Sequence, residues 1–263
     1  MYELTPSKTL DTKISASEFA TNVACRLGVD VMEAGESCPK CGIQLDGLGI
    51  HPQSCMAEGD ATLEHSGVQD IFEDYSRRGG LRPKREAPWL LREDATATSG
   101  ECPADLLVIP QLALARALPD GSRAVRTERV CFDFAVVNAL GPSHWAQTSS
   151  GSGSAAEAYD AGKRQRRQTE ARCREQGLTF WPVVFEQQGG RSKAAQAAIR
   201  AIAEAIAMRE GCEAKTVQRA MEDRLAVLLA RGTATMIARR QRSPAEPQRQ
   251  AWERAIAAAE ALS

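Results

Sequence analysis

The residues best suited to chemistry lie in the segment CPKCGIQLDGLGIHPQSC, residues 38–55. Two residues separate Cys38 from Cys41, and His51 and Cys55 follow. Three thiolates and one imidazole form a complete tetrahedral ligand set for Zn²⁺. The chain has only three histidines, and one of them falls inside this cysteine cluster. The spacing therefore predicts a structural zinc site, with unrelated buried cysteines as the competing interpretation.

A second group of candidate residues consists of carboxylates on predicted strands. Asp105 opens the apolar run ADLLVI, and Asp133 lies in the middle of RVCFDFAVV. An acidic side chain among Val, Phe and Ala is costly to bury unless it meets a partner such as a metal ion. Two carboxylates at one sheet edge, together with a strand carbonyl, suit Mg²⁺ or Mn²⁺. We therefore predict a divalent-metal site at Asp105 and Asp133; either residue taken alone is equally well explained as a turn or strand-end residue.

Positive charge follows in AEAYDAGKRQRRQTEARCRE, residues 156–175. If this segment is one helix, Tyr159, Lys163, Arg166 and Arg167 share a face. Such a face can bind a phosphate backbone, with Lys163 near the scissile group, although a solvated helix surface has the same composition. Glu186 ends the next strand, as a further site carboxylate or as a capping acid.

Local patterns predict the elements that must bring these residues together. Apolar periodicity and end signals predict helices at residues 15–27, 62–78, 155–176, 193–209 and 214–230. Alternating and β-branched runs predict strands at residues 104–109, 129–137 and 178–186. The turn signal PDGS at 119–122 joins the first two strands as a hairpin, and Pro182 places the third at an edge or a bend. The predicted fold class is α/β, a small mixed sheet flanked by helices.

Composition narrows the class of protein further. The 263 residues are 43% hydrophobic but only 5% aromatic, and 33 basic residues balance 34 acidic ones. This near-neutral balance neither demands nor excludes nucleic acid. We expect no membrane span, because uninterrupted apolar runs stay well short of the about 18–20 residues needed. Eight cysteines without a recognisable secretory signal favour a reducing compartment, so we expect a soluble intracellular protein with metal-binding cysteines.

Taken in order, these motifs resemble the restriction-like endonucleases of the PD-(D/E)XK superfamily, in the branch joined to a zinc knuckle. The same combination of a zinc knuckle and an endonuclease domain occurs in the C-terminal region of non-long-terminal-repeat retrotransposon proteins, after a reverse transcriptase. The matching motifs are Cys38-x2-Cys41-x9-His51-x3-Cys55, LEHSGVQDIF, PADLLV, DFAVV and YDAGK. The resemblance covers residues from about 38 to 190, and this chain offers no room for the polymerase itself.

The resemblance implies a restriction-endonuclease-like sheet preceded by a zinc knuckle and followed by helices. It divides the chain into an N-terminal helical segment (1–37), the zinc knuckle (38–60), the nuclease domain (61–210) and a C-terminal helical tail (211–263). By the same resemblance, Asp105 matches the Asp of the PD motif and Asp133 the (D/E) position. The lysine of the family is usual two residues after this position, where this chain has Ala135. The resemblance therefore assigns the role of that lysine to Lys163 on the next helix.

Several positions near these motifs are ambiguous. Cys102 replaces the basic residue expected before Pro103. His65 is either an additional zinc ligand or, in our preferred interpretation, the start of a helix near the knuckle or the DNA. Glu64 and Asp70 are weaker candidates for an outer metal carboxylate.

The resemblance implies a Mg²⁺- or Mn²⁺-dependent DNA endonuclease of retrotransposon origin, located in the nucleus, with structural Zn²⁺. DNA is the expected partner, with RNA as a second candidate; no membrane is expected, and the oligomeric state stays open. Two alternatives remain: a nucleic-acid-binding protein whose active site has degenerated, and an interaction protein that assembles through helices beyond residue 190.

Overall fold

The computed structural model describes residues 12–55, 59–87, 90, 104–117, 123–149 and 151–241, and for residues 110–117 and 123–128 it describes the backbone alone. The departure at Cys102 and the turn at 119–122 therefore lie outside the described residues, as do the parts of the predicted N-terminal segment before residue 12 and of the predicted C-terminal tail after residue 241.

Within the described residues the chain forms a mixed α/β fold, which confirms the predicted class. The helices are α1 (Ala16–Leu27), α2 (Ile50–Ser54), α3 (Asp60–Arg78), α4 (Trp145–Thr148), α5 (Ser154–Gln165), α6 (Thr169–Glu175), α7 (Lys193–Glu210) and α8 (Ala214–Arg240). The strands are β1 (Pro83–Arg85), β2 (Leu106–Ala117), β3 (Arg123–Val137) and β4 (Leu178–Glu186).

The four strands form one open mixed sheet in the order β1-β2-β3-β4. β2 is antiparallel to both β1 and β3, as the hairpin prediction requires, whereas β4 runs parallel to β3. Among the described strands β4 lies at the edge, where Pro182 faces Asp133 and its missing N–H is tolerated. The prediction of an edge strand from Pro182 is confirmed.

The side chains of β3 alternate between two apolar layers. Phe132 and Phe134 pack with Phe72 of α3 and with α7 and α8 on one face of the sheet. On the other face, Cys131 packs with Cys173 of α6. Ala135 packs with the start of α5 on this second face. Since Asp133 lies between Cys131 and Ala135, strand alternation places it on the face covered by α5 and α6.

The predicted helix at 155–176 is not continuous, and this prediction is wrong. α5 ends at Gln165, a 3₁₀ turn follows, and α6 begins at Thr169. Arg167 and Gln168 adopt left-handed backbone conformations, with φ of +50° and +55°. The bend allows the buried parts of both helices to pack on the same face of the sheet, which a straight helix does not achieve.

The C-terminal helix α8 is ten residues longer than the sequence pattern predicts, ending at Arg240 rather than 230. Its last turns pack on the cysteine segment, where Ile237 joins an apolar cluster that contains Cys38 and Cys55. Tertiary packing therefore extends this helix beyond its local signal. In the part of the chain that is described, no helix has both the length and the apolar character needed to cross a membrane.

Candidate functional site

The four predicted zinc ligands lie together. The Sγ atoms of Cys38, Cys41 and Cys55 and a ring nitrogen of His51 all lie within 4.8 Å of one another. Cys41 Sγ is 3.2 Å from His51 Nε2 and 3.7 Å from Cys55 Sγ. Thiolates bound at about 2.3 Å around one tetrahedral ion are separated by about 3.7 Å. The cluster can therefore hold a metal ion such as zinc.

Backbone hydrogen bonds shape the first half of this cluster. The Cys38 N–H donates to Ile43 O at 2.8 Å, and the Gly42 N–H donates to Cys38 O at 2.9 Å. Gly42 has a φ of +77°, a conformation that glycine adopts at little cost. The resulting tight turn brings the thiols of Cys38 and Cys41 to one side of the chain.

A short helix positions the second half of the cluster. The carboxylate of Asp46 accepts hydrogen bonds from Ile50 N (2.8 Å) and His51 N (2.7 Å), and so caps the start of α2. One helical turn then brings His51 and Cys55 to the same side. The sequence interpretation predicts no helix in this segment and therefore missed α2.

The surroundings of the Cys38 thiol favour its ionised form. Burial acts to raise the pKa of Cys38, but hydrogen bonds from the Lys40 and Cys41 N–H groups and from the His51 and Cys41 side chains lower it to about 6. Thiolate is the form that binds metal.

An arginine from α8 completes the surroundings of the cluster. Arg240 is fully buried, pairs with the buried Asp60 at the start of α3, and hydrogen-bonds Cys55. Burial acts to lower the pKa of Arg240, but these hydrogen bonds raise it above the usual value. A positive charge beside a thiolate offsets part of the negative charge that three cysteines bring to one metal site.

The second candidate site forms where β2 begins. Leu106 pairs with Phe132, so the neighbouring residues of the two strands are Asp105 and Asp133. Asp105 Oδ2 accepts the Phe134 N–H at 2.6 Å, and each of the two aspartate side chains is 26% exposed. The two carboxylates that the sequence predicts at one sheet edge therefore lie side by side, within reach of solvent.

Lys163 reaches this pair from α5. Its Nζ is 2.8 Å from Asp133 Oδ1 and donates to Phe134 O at 2.9 Å. The position two residues after Asp133 is the buried Ala135, so the lysine of the site comes from the covering helix. The three residues predicted to act together thus form one connected polar cluster.

Helix α3 fixes Asp105 from the opposite side. His65 Nε2 lies 3.0 Å from Asp105 Oδ2, and one turn later Gln69 Nε2 donates to Asp105 O at 2.6 Å. His65 therefore contacts the carboxylate pair, and the metal-binding cluster found in the described residues does not include it. The sequence interpretation missed this contact; the available signal is the i,i+4 pair of polar residues beside the apolar Val68 and Phe72.

Burial and neighbouring groups act in opposite directions on the pKa values of Asp105 and Asp133. Burial raises the pKa of Asp133, with Lys163 opposing the shift and Asp105 adding to it. Burial acts in the same direction on Asp105, but hydrogen bonds from His65 and the Phe134 N–H hold its pKa below the usual value. The repulsion between adjacent carboxylates is the kind that a hard divalent cation relieves, and oxygen donors are its preferred ligands. Asp105 and Asp133 offer oxygen donors of this kind.

Glu186 caps the helix that carries Lys163. Its buried carboxylate accepts hydrogen bonds from the backbone N–H groups of Gly153 (3.0 Å), Ala155 (3.1 Å) and Ala156 (3.1 Å) at the start of α5. Of the two sequence interpretations of Glu186, the structure supports the capping acid.

The predicted basic face is divided between two elements. Tyr159 and Lys163 share a side of α5, and Lys163 Nζ lies 5.8 Å from the Tyr159 ring centroid. Arg166 and Arg167 are exposed in the turn beyond α5, where the backbone has left the helical path. The prediction that all four residues share one helix face is wrong, because the helix ends at Gln165.

The two weaker carboxylate candidates have other partners. Glu64 is buried and accepts a hydrogen bond from Gln187 Nε2 at 3.2 Å. Asp70 pairs with Arg85. Neither contact involves the Asp105–Asp133 pair.

Comparison with known proteins does not assign the chain to a family. No protein-family model matches the chain, and no curated protein matches it.

Proposed function

We propose that this chain is a metal-dependent DNA endonuclease with a restriction-endonuclease-like domain and a nucleic-acid-binding zinc knuckle, of retrotransposon origin. The observation that carries the proposal is the convergence of Asp105, Asp133 and Lys163 where β2 begins beside β3. The predicted order of knuckle, helix, carboxylate strands and lysine helix supports the same assignment. A chromosomal substrate would place the protein in the nucleus.

Each residue of the cluster has a distinct task in phosphodiester hydrolysis. Asp105 and Asp133 would hold Mg²⁺ or Mn²⁺, and such an ion, when bound, lowers the pKa of a water and neutralises charge on the phosphate. The Lys163 ammonium, held by Asp133 and Phe134 O, would stabilise negative charge that develops on the phosphate oxygens. His65 and the Phe134 N–H fix the orientation of Asp105.

Binding of the nucleic acid would come from other residues. The exposed Arg166 and Arg167 can contact phosphates beyond the end of α5, and the Tyr159 ring on α5 is in edge contact with His144. The cysteine cluster would order a second contact surface when it holds zinc. Loss of a carboxylate should therefore abolish cleavage while most of the affinity is retained.

A nicking assay tests the proposal. Zinc-loaded protein is incubated with supercoiled plasmid and Mg²⁺ or Mn²⁺, alongside Asp133→Asn. Asp74→Asn is the matched control, because this aspartate is exposed on α3 and pairs only weakly with Arg224 at 3.4 Å. Nicking by the parent and the control but not by Asp133→Asn is the expected result. Equal nicking by Asp133→Asn would refute the assignment of the site.

A second candidate function is nucleic-acid binding without cleavage. It is favoured by Ala135, which replaces the strand lysine that the resemblance leads one to expect. Retardation of DNA in a gel, with no nicking under any divalent ion, would support this alternative.

A further inference from the structure

Two exposed rings and one half-buried ring lie beside the proposed cleavage site. The aromatic ledge, as we call it, consists of His144, Trp145 and Tyr159. Trp145 is 58% exposed and Tyr159 is 38% exposed. The rings of His144 and Tyr159 are in edge contact, with centroids 6.4 Å apart. Trp145 follows His144 directly in the chain, and exposed aromatic side chains grouped in this way mark an interaction surface more often than an inert one.

The ledge is held in place by the fold. Trp145 Nε1 donates to Leu140 O at 2.5 Å, which restrains the indole. The backbone of His144 is close to the same turn, since Thr148 Oγ1 lies 2.9 Å from His144 O and 2.5 Å from Ala139 O and its single hydroxyl hydrogen can be donated to either carbonyl. Tyr159 stands on α5, whose first turn Glu186 caps. A restrained and exposed ring loses little conformational entropy on binding a flat partner.

The ledge is continuous with the proposed active site. Tyr159 precedes Lys163 by one helical turn, and the Lys163 ammonium lies 5.8 Å from the tyrosine ring centroid. The same ammonium is 2.8 Å from Asp133 Oδ1. A strand whose phosphate is bound at Lys163 would therefore bring its neighbouring nucleotide to the ledge.

The charges near the aromatic ledge and the chemistry of its rings indicate what kind of molecule binds there. Lys163, Arg166 and Arg167 follow the ledge along the chain and favour a polyanion over a neutral peptide. Aromatic rings near basic residues are the combination used in single-strand binding, in which bases stack on side chains and the backbone follows positive charge. Paired bases in an intact duplex do not present their faces, so stacking requires unpaired nucleotides.

We propose that the aromatic ledge stacks unpaired bases, so that the substrate is single-stranded DNA or duplex DNA with an unpaired strand beside the cleaved bond. The inference rests on the nuclease proposed above and names its substrate class. It also gives His144 and Trp145, for which the sequence suggested no role, a place in DNA recognition.

Fluorescence anisotropy tests the ledge without cleavage. Zinc-loaded protein is titrated, with Ca²⁺ in place of Mg²⁺, into labelled single-stranded DNA, intact duplex, and duplex with a single-stranded overhang. Trp145→Ala and Tyr159→Ala should each bind single-stranded and overhang DNA about tenfold more weakly, as expected for the loss of one stacked base. Their affinity for intact duplex, and the slope of affinity with salt, should stay unchanged, because the phosphate contacts remain.

Two control variants separate stacking from general damage. Trp145→Phe keeps a ring and should bind single-stranded DNA within about twofold of the parent. Phe19→Ala removes a ring that is 60% exposed on α1 and should have no effect. As a spectroscopic check, 2-aminopurine next to the bound phosphate should be quenched by the parent and much less by Tyr159→Ala.

The outcomes for the ledge and for the nuclease are distinguishable. The proposal that the ledge stacks bases is overturned if the parent binds duplex and single-stranded DNA with equal affinity. It is also overturned if both alanine variants keep the affinity of the parent. In either case the surface is one for a protein partner. Plasmid nicking can still establish the nuclease in that case. Conversely, selective loss of single-strand binding in the alanine variants supports the ledge even if no DNA is cut.

Discussion

Substitution of Glu186 by glutamine tests how the fold positions Lys163. The Glu186 side chain is 3% exposed, and its two oxygens accept three N–H groups from the first turn of α5. The N–H groups of a first helical turn have no partner within the helix. Glu186→Gln preserves the shape of the side chain but replaces one acceptor oxygen by a donor and removes the negative charge.

The expected loss can be worked out from these contacts. The amide oxygen can still accept from Ala155 and Ala156, but the new NH₂ group then faces the Gly153 N–H. A buried donor left without an acceptor costs about 1–3 kcal/mol. Loss of an anion from a buried helix N-terminus costs up to about 2 kcal/mol more. The lower cost of burying a neutral side chain offsets part of the sum. We therefore expect the free energy of unfolding to fall by about 2–4 kcal/mol.

Urea unfolding at neutral pH, followed by circular dichroism, measures this loss. Glu175→Gln on α6 is the matched control, because this glutamate is exposed and the substitution should change stability by less than about 0.5 kcal/mol. If Glu186→Gln is as stable as the control, the carboxylate does not stabilise α5, and the reasoning above is wrong.

Three further perturbations test other parts of the structure. Burial raises the pKa of Glu64 from 4.5 to about 7, so the folded protein keeps a proton that the unfolded chain releases, and stability should fall as pH rises between these values. The free energy of unfolding of Glu64→Gln, relative to that of the parent, should therefore rise by about 3 kcal/mol as the pH is raised from about 4 to about 8, as measured by urea unfolding. A difference that does not change with pH would contradict this. His65→Leu should weaken Mn²⁺ binding, measured by electron paramagnetic resonance, about 10–100-fold, and His65→Gln much less; equal affinities would exclude a positioning role. Chelation of zinc should lower the melting temperature of the parent but not of Cys41→Ser; equal shifts would show that the chelator acts elsewhere.

The parts of the molecule that were predictable from sequence are those with a local signal. Cys38, Cys41, His51 and Cys55 are close in the chain, so their spacing alone indicates a common site. The mixed sheet followed from short β-branched runs and turn residues, and Pro182 correctly marked the edge strand.

What could not be predicted depends on packing between distant elements. The break after Gln165 arises because both α5 and α6 must bury residues on one face of the sheet, which no local pattern records. The last turns of α8 form because Ile237 packs on the cysteine segment. The contact of His65 with Asp105 spans 40 residues, and only the folded sheet brings them together.

Helix α3 joins the two candidate sites, which the sequence interpretation assigned to separate domains divided after residue 60. Asp60 begins this helix and pairs with Arg240, which in turn hydrogen-bonds the ligand Cys55. Five residues later, about 7.5 Å along the axis, His65 on the same helix holds Asp105. Because Arg240 is fully buried, its charge requires Asp60, and the loss of one partner from a buried ion pair costs about 3–5 kcal/mol. The segment of α3 from Asp60 to His65, less than two turns long, therefore carries contacts to both candidate sites.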